Sequence, residues 1–223
     1  QPGLLKWLLT RFVPRTRLLT LAMIAGIFVR PLLPSLLADK IPRRRYRLVR
    51  EIRNPNTTSK VVLLRGCAQQ AATPQVADAL ELILERAGVG TVPLAQERCC
   101  GALEYHLSEH AGAKRRMQQL IGSMEQALDA GATHIISSAS GCGVTIKDYG
   151  KIFADDEVYA KRAERVAAHT VDAAEYLSQF ELTCEPLRVA CHTPCTLQHG
   201  QRLPGNLEGL LEGAGFELAP VAE

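Results

Sequence analysis

The sequence predicts an α/β fold built on mostly parallel sheet and preceded by amphipathic helices. Three observations predict it. From Lys60 onward, short apolar runs alternate with segments of helical periodicity; cysteines fall at the ends of the apolar runs beside glycines; and the chain resembles itself when slid by 127 residues. Strands alternating with helices need crossover connections, which parallel sheets provide, and such folds collect their sites at strand ends. The composition agrees, since 47% hydrophobic and 22% charged residues over 223 positions is ordinary globular stock, long enough to bury a core.

The first 38 residues are rich in leucine, but Lys6, Arg11, Arg15, Arg17 and Arg30 interrupt them. The longest uncharged run, Leu18 to Val29, falls well short of the roughly 20 residues that cross a bilayer. No small-residue cleavage site follows a clean apolar core, so the segment does not read as a signal peptide. Two amphipathic helices are expected, ended or bent by Pro14, Pro31 and Pro34, packed on a neighbouring domain or else lying in a membrane surface. The run from Lys40 to Arg53 carries seven basic residues and only Tyr46 as an aromatic. It reads as a solvated linker, and no nucleic-acid partner is expected.

After the turn-rich "NPNTTSK", "KVVLLRGC" (60 to 67) reads as a buried strand. "TPQVADALELILERAGV" places Val76, Leu80, Ile83, Leu84 and Ala87 at helical spacing, with Gly88 as the stop. "GTVPLA" reads as a second strand leading into Cys99, and a long helix is expected over 103 to 130. "THIISS" (133 to 138) then reads as a third strand, followed by the turn "ASGCG" that carries Cys142. Near the end, "LRVACHTPCTLQHG" is another apolar strand running into cysteine. The 127-residue shift pairs Leu80 with Leu207, Glu81 with Glu208, Leu84 with Leu211, Gly88 with Gly215 and Pro93 with Pro220, and sets Cys67 within one residue of Cys195. This is an internal repeat.

Cys67, Cys99, Cys100 and Cys142 therefore fall at strand ends, where they are expected to converge. A disulfide framework is disfavoured by the odd count of seven cysteines and by the strain of pairing adjacent residues. An inert set of thiols explains Cys184 better than four cysteines beside glycines. Ligation of a soft metal or an iron-sulfur cluster uses what is present, sulfur donors and glycines that permit close backbone approach. Arg98 and Arg65 are candidates to offset the negative charge. His106, His110, His134, His169 and His199 are scattered, and no catalytic residue is expected; His192 is weighed against a solvent-facing ring and read as an outer-sphere partner.

Cys67, a gap of 31 residues, "CCG" at 99 to 101 and "SGCG" at 140 to 143 resemble the cysteine-rich CCG domain. That family occurs in heterodisulfide reductase subunits and in iron-sulfur subunits of glycolate, lactate and glycerol-3-phosphate oxidising complexes, often as two copies; "HTPC" at 192 to 195 resembles the opening of a second copy. "CCGALEYHLSEHAGAKRRMQQLI" and "CHTPCTLQHGQRLPGN" are most similar to the glycolate-oxidising type. The resemblance implies tandem CCG domains: a helical segment and linker over 1–58, a first domain over 59–183, and the start of a second over 184–223. The absence of an initial Met and a last residue inside an expected strand suggest a piece of a longer chain, with a second CCG pair to follow and a ferredoxin-like region before.

The resemblance further implies an iron-sulfur electron-transfer subunit of a flavin-linked 2-hydroxy-acid (glycolate) dehydrogenase. Electrons would pass from flavoprotein subunits carrying FAD toward a membrane quinone, with the catalytic flavin site in another chain. Cys67, Cys99, Cys100, Cys142 and, from the second copy, Cys195 are the implied ligands. Ala139 stands where the family has the first cysteine of a Cys-x-x-Cys pair, which argues against a noncubane site and against direct thiol or disulfide chemistry of the heterodisulfide reductase type. Four thiolates suit a [4Fe-4S] cubane or a closed structural zinc site. Free thiols and a quinone acceptor imply a cytoplasmic protein peripherally associated with the inner membrane.

Overall fold

The structure, a computed structural model, describes residues 3–39, 41, 57 and 59–221. The expected basic linker over Lys40 to Arg53 lies, apart from Ile41, outside the described residues. The chain separates into two compact units, residues 1–133 and 134–223.

The first unit opens with α1 (Leu4–Phe12) and α2 (Thr16–Val29), followed by a 3-10 turn over Arg30–Leu32 and the single turn α3 (Ser35–Ala38). The prolines act as expected. Pro14 lies between the first two helices, Pro31 sits inside the 3-10 turn, and Pro34 precedes α3. Strand β1 (Ser59–Leu64) buries Val61 through Leu64, leads into the short α4 (Cys67–Ala72) and then α5 (Pro74–Arg86), and pairs in parallel with β2 (Val89–Val92) in the register Ser59 with Val89. Helix α5 starts with its proline at the first position, where the missing N–H costs nothing, and buries Ala77, Leu80 and Leu84; Val76, placed on the apolar stripe from the sequence, is 38% exposed.

The helix expected over 103 to 130 is two helices, α6 (Ala102–His106) and α7 (His110–Asp129), separated by a turn in which Ser108 has φ of 61°. The buried carboxylate of Glu104 explains the break. It meets Arg116 Nε at 2.6 Å, whereas twelve residues of unbroken helix would hold the two about 18 Å apart. Met117, Leu120, Ile121 and Met124 on α7 complete the core of this unit.

The second unit holds β3 (Ile135–Ser137), α8 (Ser140–Lys147), α9 (Tyr149–Ile152), α10 (Ala160–Ala168), β4 (Thr170–Asp172) and α11 (Ala173–Leu177), with β3 and β4 parallel and Tyr149 and Phe153 fully buried. After it come β5 (Arg188–Ala190), a π turn over Thr196–Gly200, α12 (Asn206–Gly213) and β6 (Glu217–Ala219), again a parallel pair, Arg188 with Glu217.

The internal repeat is thus visible in the backbone. In each copy a strand, a short helical turn, a helix and a second strand in parallel follow one another. The equivalent glutamates on the helices also play equivalent parts: Glu81 accepts from Arg65 just after β1, and Glu208 accepts from Thr193 just after β5. The architecture is α/β with parallel strand pairs, as the alternating pattern predicts.

Candidate functional site

Cys67 is the first residue of α4, at the end of the buried strand β1, and Gly66 makes the turn with φ of 63°. Its approach to Cys99 is fixed by Glu97. One carboxylate oxygen, Oε1, accepts from the backbone N–H of Arg65 and of Gly66, both at 2.8 Å, tying the loop after β2 to the turn after β1. Cys99 Sγ then lies 3.5 Å from Cys67 Sγ.

Cys99 and Cys100 are both buried, at 5% and 6% exposure. Gly101 behind them is in the left-handed region, φ 78°, and an added Cβ would stand 3.0 Å from Ala113 O and from Met117 Cγ. Glycine is required twice over, by conformation and by space. The Cys99 thiol is lowered to about 3, first by hydrogen bonding from Cys100 and from Cys67, then by the Gly101 N–H and the Arg116 guanidinium, against the opposing effect of burial. Cys99 is therefore a thiolate flanked by two further thiols.

The cation that bears on Cys99 is Arg116 from α7, which carries no motif in the sequence. Arg65 points elsewhere: its guanidinium spans Asp78 at 3.0 Å and Glu81 at 2.6 Å on α5, so it braces the fold and does not offset the thiolates. A cleft of about 1380 Å³ opens beside Cys99, lined among others by Arg15, Arg17, Arg98 and Arg116. Negative charge at Cys99 thus faces a cationic wall; Arg98 lies in that lining, with its guanidinium donating to Gln96 Oε1 at 2.7 Å. Glu97 and Arg116 are the functional residues that sequence reasoning misses; a carboxylate two residues before a cysteine pair is the faint signal for the first.

Cys142 and Cys195 belong to the second unit. Cys142 is the third residue of α8 and half-buried, while Cys195 is exposed at the start of the π turn. Ser140 Oγ and Thr196 Oγ1 are 2.6 Å apart, so the segments that carry these two cysteines meet within that unit. His192 is exposed, which corrects the outer-sphere role expected of it from the sequence. Among the described residues, no three His, Cys, Asp or Glu side chains are arranged as they stand to hold a metal ion.

The donor chemistry nevertheless fits a thiophilic centre. The set offers a resident thiolate, two neighbouring sulfurs and glycine on the backbone beside them. The 3.5 Å separation of Cys67 and Cys99 is near the edge, roughly 3.8 Å, of a tetrahedron of thiolates about 2.3 Å from one ion.

Adjacent buried thiols locked by a left-handed glycine, with a further thiol at the end of the preceding strand, define a cysteine-rich CCG domain; the family model for the cysteine-rich domain CCG matches residues 61–147. The chain is 34% identical to the glycolate oxidase iron-sulfur subunit of Escherichia coli (strain K12) over 220 residues, 96% of this chain and 54% of that protein. It is 30% identical to lactate utilization protein A of Geobacillus thermodenitrificans (strain NG80-2), covering 73% of this chain and 68% of that one, and 29% identical to the protein of the same name from Exiguobacterium sp. (strain ATCC BAA-1283 / AT1b). It belongs to the CCG-domain family that includes these proteins. The chain spans about half the length of the Escherichia coli relative. No solved structure matches it.

Proposed function

We propose that this chain is the cysteine-rich, electron-transferring part of an iron-sulfur subunit in a hydroxy-acid oxidising complex, glycolate being the substrate of the complex. The observation that carries the reading is the grouping of Cys67, Cys99 and Cys100 about one thiolate on Gly101. Cys67, Cys99, Cys100 and Cys142 are the proposed ligands of the first site, in a domain over 59–183, and Cys195 belongs to a second that begins at 184. When bound, a cluster supplies one-electron chemistry at low reorganisation. What these residues contribute is binding through sulfur, exclusion of water by burial at Cys99 and Cys100, and stabilisation of negative charge by Arg116 and the cleft arginines.

The oxidation of glycolate to glyoxylate is proposed for flavoprotein partners carrying FAD, with membrane quinone as the acceptor and the complex on the cytoplasmic face of the inner membrane. Similarity to a glycolate oxidase iron-sulfur subunit supports this reading. The test is to assemble the protein with its flavoprotein partners, add glycolate or lactate without oxygen, and follow reduction of the iron-sulfur signal by electron paramagnetic resonance. Reduction by glycolate that disappears in Cys99→Ser supports it; an unchanged signal in that variant counts against it.

A second reading is favoured by one observation. The 3.5 Å spacing of Cys67 and Cys99 suits two thiolates on a single ion, as in a structural zinc clamp. Under that reading the electron path runs through other parts of the subunit.

A further inference from the structure

Residues 4–37 hold thirteen of the seventeen exposed large hydrophobic side chains among the described residues; Leu4, Leu5, Phe28, Leu32 and Leu36 are each at least 70% exposed. Apolar surface on this scale marks an interaction site. The same stretch contains five cations and no Asp or Glu before Asp39. Lys6 is held by Glu109 at 2.8 Å, and Arg30 reaches Ala38 O at 3.1 Å. Arg11, Arg15 and Arg17 are exposed, with no ion pair among the described residues. Among the described residues no single helix is long and apolar enough to cross a membrane; Leu4–Phe12 and Thr16–Leu32 reach that length and hydropathy only together, and they are bent by 106°.

We propose that α1 to α3 dock in the plane of a lipid surface rich in anionic headgroups. The leucines and Phe28 enter the acyl boundary, and the arginines meet the phosphates. Charge decides for this occupant: an apolar surface fringed by unpaired arginines and devoid of carboxylates complements an anionic bilayer. Helix α2 lies along α4, whose first residue is Cys67, so docking holds the thiol site beside the membrane. In purpose this deepens the proposed delivery of electrons to membrane quinone, and it names the surface that does it.

The test is flotation of the purified, metal-loaded protein with vesicles of equal parts phosphatidylglycerol and phosphatidylcholine, against phosphatidylcholine alone. The expected result is salt-sensitive binding to the anionic vesicles. That binding weakens at least about tenfold both in Phe28→Glu/Leu32→Glu/Leu36→Glu and in Arg11→Glu, with circular dichroism unchanged in each. Equal binding by parent and both folded variants overturns the proposal. So does an absence of vesicle binding accompanied by self-association that the apolar substitutions abolish, which would make a second copy the occupant. A protein that does not float yet carries glycolate-reducible iron loses the docking inference alone; one that floats without iron or sulfide loses the electron-transfer reading alone.

Discussion

The Cys67 thiol donates to the Cys99 sulfur across 3.5 Å, and the contact depends on Glu97, which holds the two loops together through the backbone of Arg65 and Gly66. Glu97→Ala removes both hydrogen bonds. It is expected to cost about 1 to 2 kcal/mol in chemical denaturation and to lower metal retention. Glu97→Gln keeps an acceptor oxygen and should recover most of both; equal losses in the two variants would show that the carboxylate acts otherwise.

Gly101→Ala meets a left-handed backbone and two neighbours at 3.0 Å, one of them a backbone carbonyl that cannot turn aside. The expected cost is about 2 kcal/mol or more, with loss of bound metal, measured by denaturant unfolding and elemental analysis. A variant of parental stability would mean that the loop accommodates a side chain.

Arg65 braces β1 against α5 through Asp78 and Glu81, both buried. Arg65→Ala is expected to lower stability by about 3 kcal/mol, and Arg65→Lys by less, while the metal bound per folded molecule stays at the parental level. Loss of metal from a folded Arg65→Lys protein would return this residue to the thiol site.

Asp172 caps α11 by accepting from Ala174 N at 3.0 Å and also accepts from Gln201 Nε2 at 3.1 Å, yet burial holds its carboxyl above the usual range. A raised carboxyl contributes stability that is full below its unfolded value and is lost as pH rises through the folded one. Asp172→Asn keeps the cap and removes the buried charge. The stability of the variant relative to the parent should therefore rise as pH increases above the ordinary aspartate value of about 4, followed by thermal unfolding at a series of pH values. A relative stability that falls with pH would contradict the assignment.

The parts of the fold set by local pattern were legible in the sequence. The apolar run at 61 to 64 is a strand buried on both faces, α5 follows its helical stripe from Pro74, and the 127-residue repeat reappears as two parallel strand pairs with matching glutamates. What tertiary contacts decide was not legible. The break between α6 and α7 exists because Glu104 and Arg116 must meet, and nothing in the residues around Ser108 announces it. The thiols at 67, 99 and 100 could be named from their glycines and strand ends, whereas the clasp by Glu97 and the nearby charge of Arg116 depend on loops and helix faces that periodicity does not place. Arg65, two residues before a cysteine, was in the right place in the chain but faces the wrong way for the thiolates.

The most direct test of the central claim is iron and acid-labile sulfide analysis, with an electron paramagnetic resonance spectrum, on protein purified without oxygen and compared with Cys99→Ser/Cys100→Ser. Iron and sulfide in the parent that are lost in the double variant are predicted, and would make this site an electron relay. Zinc without sulfide in the parent, or iron and sulfide retained at the parental level in the variant, would contradict it.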